Sequence, residues 1–448
     1  MKAKMKLAID MSWSHIQGRW RVPGAWTGRT FPNLDIFKEV VSIAERGLFD
    51  LIFFGDSQGI PSTWRGNTDA AVKWGIGFPR QDMSPFISVL AQFSKNIGFG
   101  LTYSTTFMHP FYTARLLNSL DHITGGRIAF NVVASTRGAD AANYGFDDLM
   151  EHGARYDRME EFIDICKRLW ASVPPDAFVW DRESGIAIED PTRIKPINHV
   201  GKYFKVKGPL ASVPSPQGRP VLIQAGGSPR GIKASANFAD YVFGQHSPGN
   251  RMAQHRAALD AQLTAQGRDP AKVGILWGMI LLVSDNEQEA IRRKEMLRTV
   301  MPFEAAAAFV SDRAGYDFSQ LPARFKLREL NEEIAAKQAS PVGVVGKLAD
   351  EFGGETEMTR EEFFDHATKW ASGYDHAIAG TAAQVADILE ETFEATGSRG
   401  GFMIGHPPAM PRDLLNVVDF LIPELQRRGR FRTKYESTLL KENLAIES

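Results

Sequence analysis

Residues 97–133 read IGFGLTYSTTFMHPFYTARLLNSLDHITGGRIAFNVV, and the change of period inside this stretch decides the fold class. Ile97–Ser104 has the apolar, aromatic and hydroxyl-bearing residues of a strand. Phe111–His122 reads as a helix, and Arg127–Val133 returns to strand composition. Strand, helix and strand in immediate succession predict two parallel strands joined by a right-handed crossover.

The alternation extends in both directions. Upstream lie a strand over Lys6–Asp10, a helix over Asn33–Arg46 with Leu34, Phe37, Val41 and Ala44 on one face, a strand over Asp50–Gly55 and a helix over Pro85–Lys95. Downstream come the long helix His152–Trp170, then Pro220–Ala225, Pro229–Asn237, Tyr241–Phe243, Arg251–Gln266, Val273–Val283 and Glu287–Met301. Thr381–Ala395, Gly401–Ile404 and Arg412–Arg427 complete the series. About eight such units predict an α/β fold of the closed (β/α)8 TIM-barrel kind, with an open doubly wound sheet as the alternative. Three intervals break the rhythm, at about 57–84, 172–219 and 302–374, the second with a hairpin around His199–Val206. Each adjoins the end of a predicted strand, where barrel active sites are built, so all three read as insertions in one domain spanning 1–448.

Composition narrows the function classes. Lys and Arg number 52 against 53 Asp and Glu, so no global field draws the chain to nucleic acid or an anionic membrane. The Arg427-Arg428-Gly429-Arg430 run reads as a solvated helix end. Cys166, the single cysteine, excludes an internal disulfide and reads as a small core residue. Met1–Asp10 lacks the apolar stretch of a signal peptide and no run approaches membrane-spanning length, which predicts a cytoplasmic protein. A dinucleotide fingerprint, a P-loop, H-E-x-x-H and G-x-S-x-G are all missing, and the histidines are scattered without metal-ligand spacing.

The polar signals cluster at predicted strand ends. Asp56 follows an apolar strand, as a ligand contact or a turn cap. Thr102 sits in a hydroxyl-rich strand end, and Asn131 and Ser135 end the next strand. His152 and Tyr156, four apart, share a face at a helix start, where an anion is welcome. Gly226 and Gly227 permit close backbone approach, Ser228 can cap, and Pro229 suits a first helical position. Together they form either a phosphate cradle or a plain strand-to-helix turn.

In order along the chain, Leu116–Asn131, Val132–Ser135, His152–Arg158, Gly208–Pro220, Val221–Gly231, Ala379–Thr381 with Gln384–Asp387, and Phe431–Tyr435 resemble one family. It is the bacterial-luciferase-like flavin-dependent monooxygenases, in the branch of nitrilotriacetate monooxygenase component A and dibenzothiophene sulfone monooxygenase. The resemblance implies a luciferase-like barrel, a homodimer or homotetramer. It would bind FMN as FMNH2 from a separate NAD(P)H:flavin reductase and use O2 to oxidise a small organic substrate. By the same resemblance Asp56 and Thr102 lie beside the flavin ring with Asn131 and Ser135 as further neighbours. His152, Tyr156 and Ser228 hold the phosphate and ribityl region, and Gly226 and Gly227 give backbone contacts.

Dibenzothiophene-sulfone-type enzymes carry a catalytic histidine in a stretch resembling Ser311-Asp312-Arg313-Ala314-Gly315, where this chain has Arg313. Either the substrate differs, or another group such as His15 or His109 serves. Trp13, Trp20, Trp26, Trp64, Trp74 and Phe78 form a dry wall or ordinary core, and Arg19, Arg21 and Arg313 are candidates to receive an anionic substrate. An F420-dependent oxidoreductase on the same barrel, a non-catalytic flavin-binding protein and a metal-dependent hydrolase remain the competing readings.

Overall fold

Strand residues point alternately to the two faces of a sheet, and here the two faces have two different cores. Ala8, Leu51, Phe53, Ala129, Val221, Ile223, Tyr241, Phe243 and Leu276 pack together inside a barrel. Their neighbours Leu7, Ile9, Ile52, Phe54, Phe130, Val132, Leu222, Val242 and Ile275 pack outward under the helices. The computed structural model describes residues 2–12, 19–22, 25, 34–245, 247, 250–336, 344–405 and 411–446.

The barrel strands are β1 (Lys6–Asp10), β2 (Leu51–Phe54), β3 (Gly98–Ser104), β4 (Ile128–Val133), β5 (Val221–Ala225), β6 (Tyr241–Gln245), β7 (Gly274–Met279) and β8 (Gly400–Gly405). They follow one another around the barrel in sequence order, every neighbouring pair is parallel, and β8 closes on β1 with Lys6 opposite Gly401 and Asp10 opposite Gly405. The chain is thus the closed barrel that the alternation predicts.

The amino-terminal end of the barrel is sealed by the C-terminal segment. Leu440 and Leu444 join the inner core. A Cβ on Gly98 would lie 2.5 Å from Leu440, so this close approach requires glycine. Polar contacts fasten the seal. Lys6 Nζ donates to Asn443 O at 2.7 Å, the Tyr241 hydroxyl to Leu444 O at 2.6 Å, and Arg432 to both Asn443 O and the buried Asp50 carboxylate.

Two of the irregular intervals pack on each other. Trp64 and the helix Asp69–Trp74 join the helices Phe303–Ala314, Leu327–Ala336, Val344–Phe352 and Arg360–Ser372 in a second apolar core. Trp64 meets Phe364 edge-on at 5.8 Å, and Trp74 Nε1 donates to Glu304 at 2.7 Å. These two tryptophans therefore belong to that core and its edge. Trp13 and Trp26 lie outside the described residues. The interval between β4 and β5 contains the expected hairpin, with His199 opposite Val206.

Three local expectations need correction. The strand read as Val273–Val283 is two strands: past Met279 the chain leaves the barrel, and Leu281–Ser284 pairs in parallel with Ile378–Thr381. Once beyond the rim, the backbone polar groups need a new partner, and that segment supplies it. The helix read as Arg412–Arg427 is interrupted by a π-helical turn at Val417–Leu421. The arginine run near 427–430 is not a solvated end. Arg428 pairs with Asp387, Glu390 and Glu424 at 2.6–2.7 Å, and the buried Arg430 pairs with Glu390 and Glu394. Carboxylates on the preceding helix, Ala382–Ala395, draw it inward.

Cys166 is buried in the layer under the helices. Among the described residues no helix is long and apolar enough to cross a membrane.

Removing one partner of a buried ion pair strands the other, at a cost of about 3–5 kcal/mol. Arg432→Met should therefore lower stability by that order in urea unfolding. A midpoint equal to that of the parent would show that the seal does not depend on the pair.

Candidate active site

The residues singled out at strand ends come from four consecutive strands. Asp56 follows β2, Thr102 lies on β3, Asn131 and Ser135 end β4, and Gly226–Ser228 follow β5. Closure of the barrel therefore sets them side by side along half of one rim.

The floor of this half-rim is a directed hydrogen-bond chain. Thr102 Oγ1 donates its single proton to Phe54 O at 2.9 Å, so it can only accept from Asn131 Nδ2, also at 2.9 Å. That orients the amide and leaves Asn131 Oδ1 buried with no hydrogen-bond partner among the described residues. A buried acceptor without a donor costs about 1–3 kcal/mol, and a ligand with an N–H can remove that cost. One strand-end further up, Ser135 donates to Ser104 Oγ at 2.7 Å, and Ser104 Oγ accepts from Thr106 N and Phe107 N at 3.2 Å. Ser135 holds a left-handed φ of 46°, and Arg155 donates to its carbonyl. Arg155 was not singled out in the sequence, although it shares a helix face with His152 and Tyr156.

At β5 the glycines act through space. A Cβ on Gly226 would meet the Gly231 backbone at 3.0 Å, so the turn lies directly on the first turn of the helix Pro229–Phe238. Gly227 faces open space. Ser228 caps that helix, its Oγ accepting from Gly231 N at 3.1 Å, which leaves the hydroxyl proton able to donate. Tyr156 reaches the same turn: its hydroxyl lies 3.1 Å from where a Cβ on Gly231 would stand. The His152 and Tyr156 rings are 5.1 Å apart. Glu151 caps the long helix, accepting from Gly153 N and Ala154 N at 2.7 and 2.8 Å. Arg230 is taken up by Glu160 and Asp157 at 2.9 and 2.8 Å, so the cation beside the cradle points away to partners of its own.

Asp56 opens onto a cavity of about 680 Å³, shared with Ser57, Gln58, Phe78, Arg80 and Tyr144. Burial raises its carboxyl above the usual carboxylate range, opposed by Arg80 at 3.9 Å and by the Gln58 amide. Arg80 and Arg137 both donate to Ser57 Oγ, at 3.0 and 2.8 Å, and Arg137 pairs with Asp312 at 2.9 Å. These arginines carry no local signature in the sequence and meet only through the tertiary fold.

The three catalytic candidates separate. His15 lies outside the described residues. His109 caps the helix Pro110–Thr124, accepting from Phe111 N at 3.3 Å, and burial and Arg158 lower its pKa. Arg313 ends the helix Phe303–Ala314 beside Asp312 and has Arg137, Arg80 and Asp10 among its charged neighbours. Arg21 lies between the Trp20 and Trp74 rings, 4.8 and 5.1 Å from their centres. Among the described residues no group of three or more His, Cys, Asp or Glu side chains could hold a metal ion.

This arrangement has known relatives. The N-acetyl-S-(2-succino)cysteine monooxygenase of Bacillus subtilis (strain 168) is 34% identical, over 100% of this chain and 97% of its own. Nitrilotriacetate monooxygenase component A of Aminobacter aminovorans is 33% identical, over 96% of this chain and 93% of its own. A crystal structure of a riboflavin lyase with modified FMN and riboflavin superposes with a TM-score of 0.85 at 25% identity, over 98% of this chain and 95% of that one. The family model for luciferase-like monooxygenases matches residues 17–400, and together with the closed barrel it shows that the chain belongs to the luciferase-like monooxygenase family.

Proposed function

We propose that the chain is the oxygenase component of a two-component monooxygenase, taking FMNH2 from a separate NAD(P)H:flavin reductase and oxidising a small organic substrate with O2. The observation that carries the reading is the polar half-rim with its orphaned acceptor, Asn131 Oδ1, above a sealed barrel. The residues fit a flavin. A flavin ring offers an N–H for that acceptor, and the anionic phosphate suits the open turn at Gly227 and the positive end of the helix Pro229–Phe238. Bound there, reduced FMN would supply the two electrons that activate O2 for transfer of one oxygen atom to substrate.

In this reading the protein binds and orients. Thr102 holds Asn131 in one amide orientation toward the ring, with Asp56 and Ser135 as ring neighbours. Gly226 and Gly227 offer backbone amides, and Ser228, Tyr156 and His152 grip the phosphate and ribityl end. The sealed amino-terminal end and the packed insertions limit water at the site. Cytoplasmic location and a homodimer or homotetramer belong to the same reading.

A charge-assisted hydrogen bond contributes roughly 1.5–3 kcal/mol, so Tyr156→Phe and Ser228→Ala should each weaken FMNH2 about tenfold or more in fluorescence titration. Riboflavin, which lacks the phosphate, should bind parent and variants alike. Equal losses for riboflavin would remove these residues from the phosphate, and a preference for F420 over FMN would remove the flavin reading.

A second outcome concerns the electron source. Steady NADH oxidation coupled to product should need an added flavin reductase, whether or not the two proteins form a complex. Robust NADH oxidation by the purified chain alone contradicts the two-component assignment.

A further inference from the structure

The arginine next to the phosphate cradle is turned away from it. Arg230 is the second residue of the helix Pro229–Phe238, just past the Gly226–Ser228 turn. The start of a helix already carries partial positive charge, so an arginine there is unfavourable unless an anion neutralises it. Two carboxylates on the long helix His152–Trp170 do so. Arg230 Nη1 donates to Glu160 Oε1 at 3.0 Å, and Nη2 donates to Glu160 Oε2 at 2.9 Å and to Asp157 Oδ1 at 2.8 Å. The Glu160 pair is bidentate, and the two side chains are only 24% and 29% exposed. Asn237 Nδ2 donates to Glu160 Oε1 as well, at 2.7 Å, so one carboxylate is held from both ends of the helix Pro229–Phe238.

This tie between two helices also bears on Tyr156. Glu160 lies four residues after it and shares its helix face. With the guanidinium held by Glu160, its central carbon stands 5.2 Å from the centre of the Tyr156 ring. The His152 ring is a second neighbour, its centre 5.1 Å away. The tyrosine hydroxyl stands against the turn, 3.1 Å from where a Cβ on Gly231 would lie, and that same point is 2.9 Å from the Gly226 backbone. A side chain at residue 231 would push one or the other away, so the glycine admits the ring to the cradle.

We propose that Arg230 is a positioning residue of the phosphate site: through Glu160 and Asp157 it holds the Tyr156 ring against the Ser228–Gly231 turn, and it does not bind the phosphate itself. This rests on the flavin reading, which puts the phosphate at that turn. A guanidinium suits the task because its planar fork takes both oxygens of Glu160 while it stays within cation–π range of the ring. Lysine, a point charge on a flexible stem, does not combine the two. The sign of one substitution separates positioning from direct binding. Glu160→Gln removes a negative charge and loosens Arg230, which strengthens FMN binding if Arg230 is a phosphate ligand and weakens it if Arg230 positions Tyr156.

The test is anaerobic titration of the full chain with reduced FMN and with reduced riboflavin, followed by protein fluorescence. Arg230→Met should weaken FMNH2 about fivefold or more in the parent, but less than about twofold in a Tyr156→Phe background, because the two residues act as one unit. Glu160→Gln should weaken FMNH2, and Arg230→Lys should recover only part of the loss. Reduced riboflavin, without the phosphate, should bind every variant within about twofold of the parent, which also reports an intact fold. Additive losses in the double variant, tighter FMNH2 binding by Glu160→Gln, full recovery by Arg230→Lys, or equal losses for riboflavin each overturn the proposal. A parent that binds reduced riboflavin as tightly as FMNH2 takes the phosphate away from this turn, and then the flavin placement itself falls, and the proposal with it.

Discussion

Between Lys6–Asp10 and Gly400–Gly405 the first and last strands of the chain run parallel and in register, and this closure places everything else. Parallel strands joined by crossovers all end on the same side, so closing them collects every strand-to-helix turn around one rim. Leu440, Leu444 and the Arg432–Asp50 pair seal the other end, so the polar strand-end residues gather on that rim. Asp56, Thr102, Asn131 and Gly226 are far apart in sequence and adjacent on the rim because β2 to β5 are consecutive around the barrel.

On that rim two chemistries are kept apart. The half built on β3 to β5 is neutral and directional: hydroxyls and amides whose protons are assigned by their partners, ending at a helix start open to an anion. The part beyond β2 is ionic: Arg80, Asp312 and Arg313 from the insertions meet Arg137 from the segment after β4. The first belongs to the barrel itself. The second depends on insertions that pack on one another through Trp64, Phe309 and Phe363, so their mutual core sets where the arginines stand.

Much of this was legible in the residues. The switch between strand composition and helical spacing identified the barrel strands and most crossover helices, because period and turn chemistry are local properties. The Gly-Gly-Ser-Pro turn and the His152–Tyr156 pair were equally legible, since i, i+4 spacing and helix-start chemistry are written in adjacent residues. Where local reading failed, a distant partner had intervened: Ile378–Thr381 took over the end of the strand beginning at Gly274, and the carboxylates at 387–394 drew Arg428 and Arg430 inward.

The sequence by itself determined the order of elements, the alternation that predicts parallel strands and the identity of the polar residues at their ends, because each follows from short-range pattern, whereas the closure that excludes an open sheet is a pairing of the first strand with the last. Only the tertiary structure decided what those residues do to one another. The direction of the Thr102–Asn131 hydrogen bond, which leaves the Asn131 oxygen unpartnered among the described residues, and the meeting of Arg80 and Arg137 on Ser57 depend on contacts across 23 to 80 positions. Such contacts exist because a packed interior brings distant groups within hydrogen-bond range and removes the water that would otherwise satisfy them.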